Sequence, residues 1–218
     1  MIKEIKNKNM AVVKNEFVKS YIAKLETIYG KENNKAFTVL NMFCFGNIDP
    51  VNEKTKINAC YTDGKGDGKI DAIIIGEKDI FALQCTVSGN FDKDKYDIFL
   101  SNVKDLFFSE SPALLRTSMV PANIKQLHTE YCDMINNANP TIHALYCYNG
   151  KQNDTDIQAI KDINLKYEID DFLPTIKTLD DINKSLKDKV TNKTYNDILY
   201  TFTPFNAQGK ENRVNTLQ

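Results

Sequence analysis

The sequence predicts an α/β domain in which a central mixed sheet of four or five strands is flanked by helices. Three observations carry that prediction. Two apolar runs rich in β-branched and aromatic residues, IDAIIIG and DIFALQCTV, are joined by the short polar connection GEKD and read as a hairpin with a mostly buried sheet. Segments of helical period stand before and after it. Later runs of strand character, TIHALYCYNG and PTIK, alternate with helical ones, as a layered α/β domain requires.

The elements follow in order. From Met10 the apolar positions Val13, Phe17, Ile22, Leu25 and Ile28 recur every three to five residues, with Gly30 as a stop, and predict an amphipathic helix. AFTVLNMFCF, between Asn34 and Phe45, predicts a second and largely buried helix ended by Gly46. After a polar loop with Pro50, Ile57–Tyr61 is expected to be a strand. TDGKGDGK, with three glycines in eight residues, is a turn leading into the hairpin. Tyr96, Phe99, Leu100, Val103, Leu106 and Phe107 keep helical period from Asp92 to Phe108. Ile124, Leu127, Tyr131 and Ile135 do so from Pro121 to Asn137. TIHALYCYNG reads as a strand, DTDIQAIKDINLKY as a well-capped helix, and PTIKTLDDINKSL as a last strand and short helix. The predicted order is αα, βββ, αα, β, α, β, α. A single domain over 1–203 is expected, with a helical part at 10–45, the hairpin region at 57–88 and an α/β remainder at 92–190, followed by a loose tail at 204–218.

Composition narrows the function. The chain has 218 residues, 42% apolar and 26% charged, enough for one core and too apolar for disorder. Its 28 basic and 29 acidic side chains leave a net charge of −1, so no global cationic field draws it to nucleic acid, and any such site must be local. Five scattered cysteines in apolar settings predict buried thiols in a reducing compartment. No Cys-x-x-Cys pair and only two histidines, His128 and His143, stand against a structural zinc site. With no signal-peptide-like start and no apolar run of about 18 residues, a soluble cytosolic protein with no membrane partner is expected.

The chemistry is concentrated between Asp63 and Ser88. Side chains alternate along a strand, so Lys69 and Asp71 are expected on one face, and Gln84 and Thr86 on one face of the partner strand. A glycine-rich turn, an Asp at the start of one strand and a Gln near the end of the next resemble the layout of the PD-(D/E)xK nuclease core. GDGKIDAIIIGEKDIFALQCTVS resembles the corresponding stretch in the N-terminal domain of abortive-infection phage-resistance (AIPR) proteins, relatives of Mrr-type restriction endonucleases. The resemblance reaches from NKAFTVL to the helix after TIHALYCYNG, over roughly residues 34–182.

The resemblance implies a restriction-endonuclease-like core and a prokaryotic or phage-related defence protein that hydrolyses DNA or RNA phosphodiesters. By position, Asp71 matches the strand Asp, Gln84 the Gln of Q-x-K, and Asp67 the turn acid. Asp71, Gln84 and Asp67 would hold Mg²⁺ or Mn²⁺. Two positions depart from the pattern. Thr86 stands where the family has its lysine and Lys69 where it has a second glycine; Thr38 also occupies a helix position where related nucleases often keep a glutamate. Lys69 is the candidate to supply the missing cation and assist the attacking water. The alternative is a catalytically degenerate member of the same fold, acting as a nucleic-acid- or protein-binding regulatory module, as a homodimer or with a partner. Family members are longer, so the chain is a short relative or a truncated one. The blander reading leaves Asp67 and Asp71 as turn caps, Gln84 as a core amide and both histidines as structural. The lysines at 3, 6, 8 and 14, and at 184, 187 and 189, read as solvated faces, with phosphate tracking as the alternative.

Overall fold

A computed structural model describes residues 15–136 and 139–197. The first helix, α1 (Glu16–Tyr29), starts at Asn15, whose side chain accepts from the backbone of Phe17 and Val18 and so satisfies two orphan donors. The turn of helix expected at Met10–Lys14 and the tail at 204–218 lie outside the described residues. Helix α2 (Lys35–Gly46) buries almost every side chain from Ala36 to Cys44, as its uniformly apolar sequence demands.

The segment expected as a first strand is instead helix α3 (Lys54–Cys60). Its buried residues, Ile57 and Cys60, are three apart and share a helix face, whereas strand alternation would have put Ile57 on one face with Ala59, which is exposed. A turn just upstream starts it: Asp49 accepts from the backbone of Val51 and Asn52, and Glu53 accepts from the backbone of Asp49. Only Tyr61 is extended there, bridging Ala72.

Four strands follow: β1 (Ala72–Ile75), β2 (Asp79–Thr86), β3 (Thr141–Tyr148) and β4 (Phe172–Lys177). They lie in the order β1-β2-β3-β4, with the hairpin β1-β2 antiparallel and the β2-β3 and β3-β4 pairs parallel. Helices α4 (Lys93–Phe108) and α5 (Ala122–Ile135) connect β2 to β3, and α6 (Asp154–Lys166) connects β3 to β4. Helix α7 (Leu179–Asp197) is longer than the short helix expected, because Leu179, Ile182, Leu186 and Val190 extend its apolar stripe beyond Leu186.

Strand alternation divides the core in two. Ala72, Ile74, Leu83, Cys85, Leu145 and Cys147 pack under α1, α2, α3 and α7. Ile73, Ile80, Ala82, Ile142, Ala144, Tyr146 and Tyr148 pack under α4, α5 and α6. The result is a three-layer α/β sandwich with a mixed four-stranded sheet. No helix among the described residues is long and apolar enough to cross a membrane.

Candidate acidic centre at the end of the hairpin

The turn before β1 is held in shape by its own backbone and by two neighbours. Gly66 (φ +85°) and Gly68 (φ +68°) are left-handed, which glycine alone adopts freely. A Cβ on Gly66 would lie 2.5 Å from the Met119 carbonyl oxygen, so the turn packs against the segment before α5. From α4, the Asn102 amide donates to the Gly68 carbonyl at 2.7 Å. Asp67 accepts from the backbone N–H of Gly64 and of Lys69, at 3.1 and 2.9 Å. Its carboxylate therefore braces the turn.

The hairpin register then places Asp71. Ala72 pairs with Leu83, and the Asp71 N–H donates to the Leu83 carbonyl, so one step further out Asp71 stands across from Gln84. The Gln84 side-chain amide donates to Asp71 Oδ2 at 2.7 Å, and the Cys85 backbone N–H donates to the same oxygen at 2.7 Å. Both bonds fall on Oδ2 and leave Oδ1 available. The Gln84 nitrogen also donates to the Cys85 carbonyl, so two acceptors fix the amide orientation. Gln84 Oε1 then has no hydrogen-bond partner, although the residue is only 1% exposed. A buried amide oxygen without a partner costs of order 1–3 kcal/mol, and this one is open to a water or a ligand.

A third acid completes the group. Asp63, at the start of the turn, accepts from the Tyr61 hydroxyl at 2.8 Å. One carboxylate oxygen each from Asp63, Asp67 and Asp71 can be chosen so that all lie within 4.8 Å of one another. Burial pushes the Asp71 carboxyl up to about 7, opposed by the Cys85 N–H and raised further by Asp63. Burial raises Asp63 as well; the Tyr61 hydroxyl opposes this and the neighbouring Asp67 adds to it. Carboxylates held together at such a cost fit a hard, oxygen-seeking cation, and the orphaned Gln84 oxygen is a neutral donor of the same kind.

Asp63, Asp71, Gln84, Cys85 and Thr86 line a cleft of about 260 Å³, together with Asn34 and Lys95. It lies at the carboxyl end of β2, beside the start of α4, where open α/β sheets characteristically bind ligands. The expected convergence of Asp71 and Gln84 is present, and Thr86 is with them. Lys69 is not. It precedes β1, sits in the turn with φ +66° and is exposed, so the strand alternation assumed for Lys69 and Asp71 does not apply. The cation in the cleft is Lys95 of α4. Lys95 and Asp63 escaped the sequence reading. Asp63 had a signal in the four-residue spacing of Asp63, Asp67 and Asp71, whereas Lys95 looked like any lysine in the exposed first turn of a helix.

The other polar residues singled out, His128, His143 and Thr38, do not line this cleft. His143 bonds Asp79 at 2.7 Å while stacked on Phe81, and His128 packs against Tyr131 and Cys132. Thr38 is buried in α2, and all five cysteines are free thiols. Comparison with known proteins returned no match to a family model, a curated protein or a solved structure.

Proposed function

We propose that this chain is a nuclease-like domain that binds a divalent cation, Mg²⁺ or Mn²⁺, at its acidic centre and engages nucleic acid there as a binding and regulatory module. The observation that carries the reading is the meeting of Asp71 with Gln84 across the hairpin, beside Asp63, with the Gln84 oxygen unpartnered and buried. Asp71, Asp63 and Gln84 would hold the ion, with Asp67 closing the turn around it. When bound, the ion supplies positive charge to which a phosphate oxygen can coordinate. The resemblance of GDGKIDAIIIGEKDIFALQCTVS to the AIPR and Mrr-type nuclease pattern supports the same reading, and with it a role in prokaryotic or phage-related defence. The binding role is favoured because the hairpin brings no lysine to the centre: Thr86 occupies that place and Lys69 lies in the exposed turn.

The test is fluorescence anisotropy with labelled DNA and RNA oligonucleotides, in Ca²⁺ or in EDTA. Binding that needs the cation and fails in Asp71→Asn is expected. Equal binding in EDTA and in the mutant would contradict the proposal. Hydrolysis of the bound strand is a second reading, favoured by one observation, the presence of Lys95 in the cleft.

A further inference from the structure

On the far edge of the sheet from the hairpin, a groove of about 950 Å³ runs between the end of α6 and β4. Leu165, Ile169, Phe172, Leu173 and Pro174 form its apolar wall. Leu165 is 69% exposed and Leu173 48%, and the half-exposed ring of Phe108 continues the apolar surface by packing edge-on against Phe172. Exposed apolar residues gathered on one groove, unlike single scattered ones, mark a surface that is covered in use.

The sheet edge itself turns away an added strand. The Ile142 N–H donates to the Asp171 carbonyl, so Leu173 and Thr175 face β3 in turn, while Phe172, Pro174 and Ile176 face outward. Pro174 has no N–H to give in the middle of that outer row. The groove is therefore filled by side chains. Three charges point to their source. Lys161 stands one turn before Leu165 on α6, and Glu168 and Asp170 follow the end of the helix, so the groove is positive on one side of Leu165 and negative on the other. None of these three side chains has a hydrogen-bond or ion-pair partner among the described residues, whereas the nearby Lys166 and Asp171 are engaged by Asp97 and Asn139. A patch that carries a knob, a groove and opposite charges at its two ends complements its own copy turned through 180°.

We propose that this face is the interface of a two-fold symmetric dimer of this chain, in which each copy's Leu165 enters the partner's groove and Lys161 meets the partner's Glu168. The acidic centre lies at the opposite edge of the sheet, so the dimer carries two such centres, both left open. The inference does not depend on the cation reading above.

Sedimentation velocity over a concentration series tests it with full-length wild type, Leu165→Asp, Lys161→Glu and Glu168→Lys, each shown to be folded by circular dichroism. All three positions are exposed, so the variants fold as wild type does. Wild type is expected to be a dimer that dissociates on dilution. Leu165→Asp should raise Kd about 30-fold or more, the effect of losing a central apolar anchor. Each charge reversal turns two attractions into two repulsions, because the two-fold repeats every contact, and should raise Kd about tenfold. An equimolar mixture of Lys161→Glu and Glu168→Lys should recover most of the wild-type affinity, since one contact then pairs the two reversed charges and the other the two native ones. A wild type that stays monomeric throughout the series, a dimer indifferent to Leu165→Asp, or a mixture no tighter than its components would each overturn the inference.

Discussion

Asp71→Asn should make the protein more stable at pH 8, and the gain should disappear in acid. Burial holds the Asp71 carboxyl at about 7 in the folded protein, against an ordinary value of 3.8. Below about pH 4 the residue is protonated whether the chain is folded or not, and it costs nothing. Between about pH 4 and 7 the unfolded chain ionises while the folded protein keeps its proton, so stability falls as pH rises. Above about pH 7 the loss is complete. A shift of about three pH units at 1.36 kcal/mol each gives roughly 4 kcal/mol as an upper bound. Asparagine keeps an oxygen for the Gln84 amide and the Cys85 N–H but carries no charge to bury. In a domain of this size the gain corresponds to about 10 °C in melting temperature. The assay is calorimetric melting of both proteins from pH 4 to 8 without divalent cation. A mutant that melts below wild type at pH 8 would show that the two hydrogen bonds to Oδ2 outweigh burial, and the reasoning would fail.

Three further outcomes follow from the same geometry. Saturating Mn²⁺ at pH 8 should raise the melting temperature of wild type by clearly more than that of Asp71→Asn, since a weakened folded-state site gains less from the ligand; equal shifts would place the ion elsewhere. Lys69→Gly should stabilise by about 1 kcal/mol, because the lysine is held at φ +66° and glycine is not strained there, while Mn²⁺ affinity stays unchanged; a loss of affinity in titration calorimetry would return Lys69 to the site. Phe99→Ala, at a fully buried position of α4, should cost about 3–5 kcal/mol in urea denaturation, and an unchanged midpoint would contradict the packing of α4 on the sheet.

Much of this fold is legible in the sequence because period and burial agree. The stripe Tyr96, Phe99, Val103 and Leu106 reads as a helix and is fully buried as one, and IDAIIIG with DIFALQCTV reads as a hairpin and pairs as one. Ile57–Tyr61 misleads because five residues with two β-branched or aromatic members satisfy either period. What decides is the turn at Asp49–Glu53, which starts a helix, and the spacing of Ile57 from Cys60. The site divides along similar lines. Asp71 and Gln84 could be placed because a hairpin has one short connection and hence a narrow choice of register. Lys69 could not, because alternation holds only inside a strand and the left-handed turn ends just before β1. Lys95 was beyond reach, since its approach depends on how α4 leans over the end of β2, a tertiary fact that no local spacing encodes.

The central property of the hairpin turn is that its acids hold a cation. Titration calorimetry of Mn²⁺ into wild type and into Asp71→Asn and Asp63→Asn, each shown to be folded, addresses it directly. One site in wild type, weakened at least tenfold in both variants, is the predicted result. Binding of equal strength in all three proteins, or no binding in any, would contradict the claim.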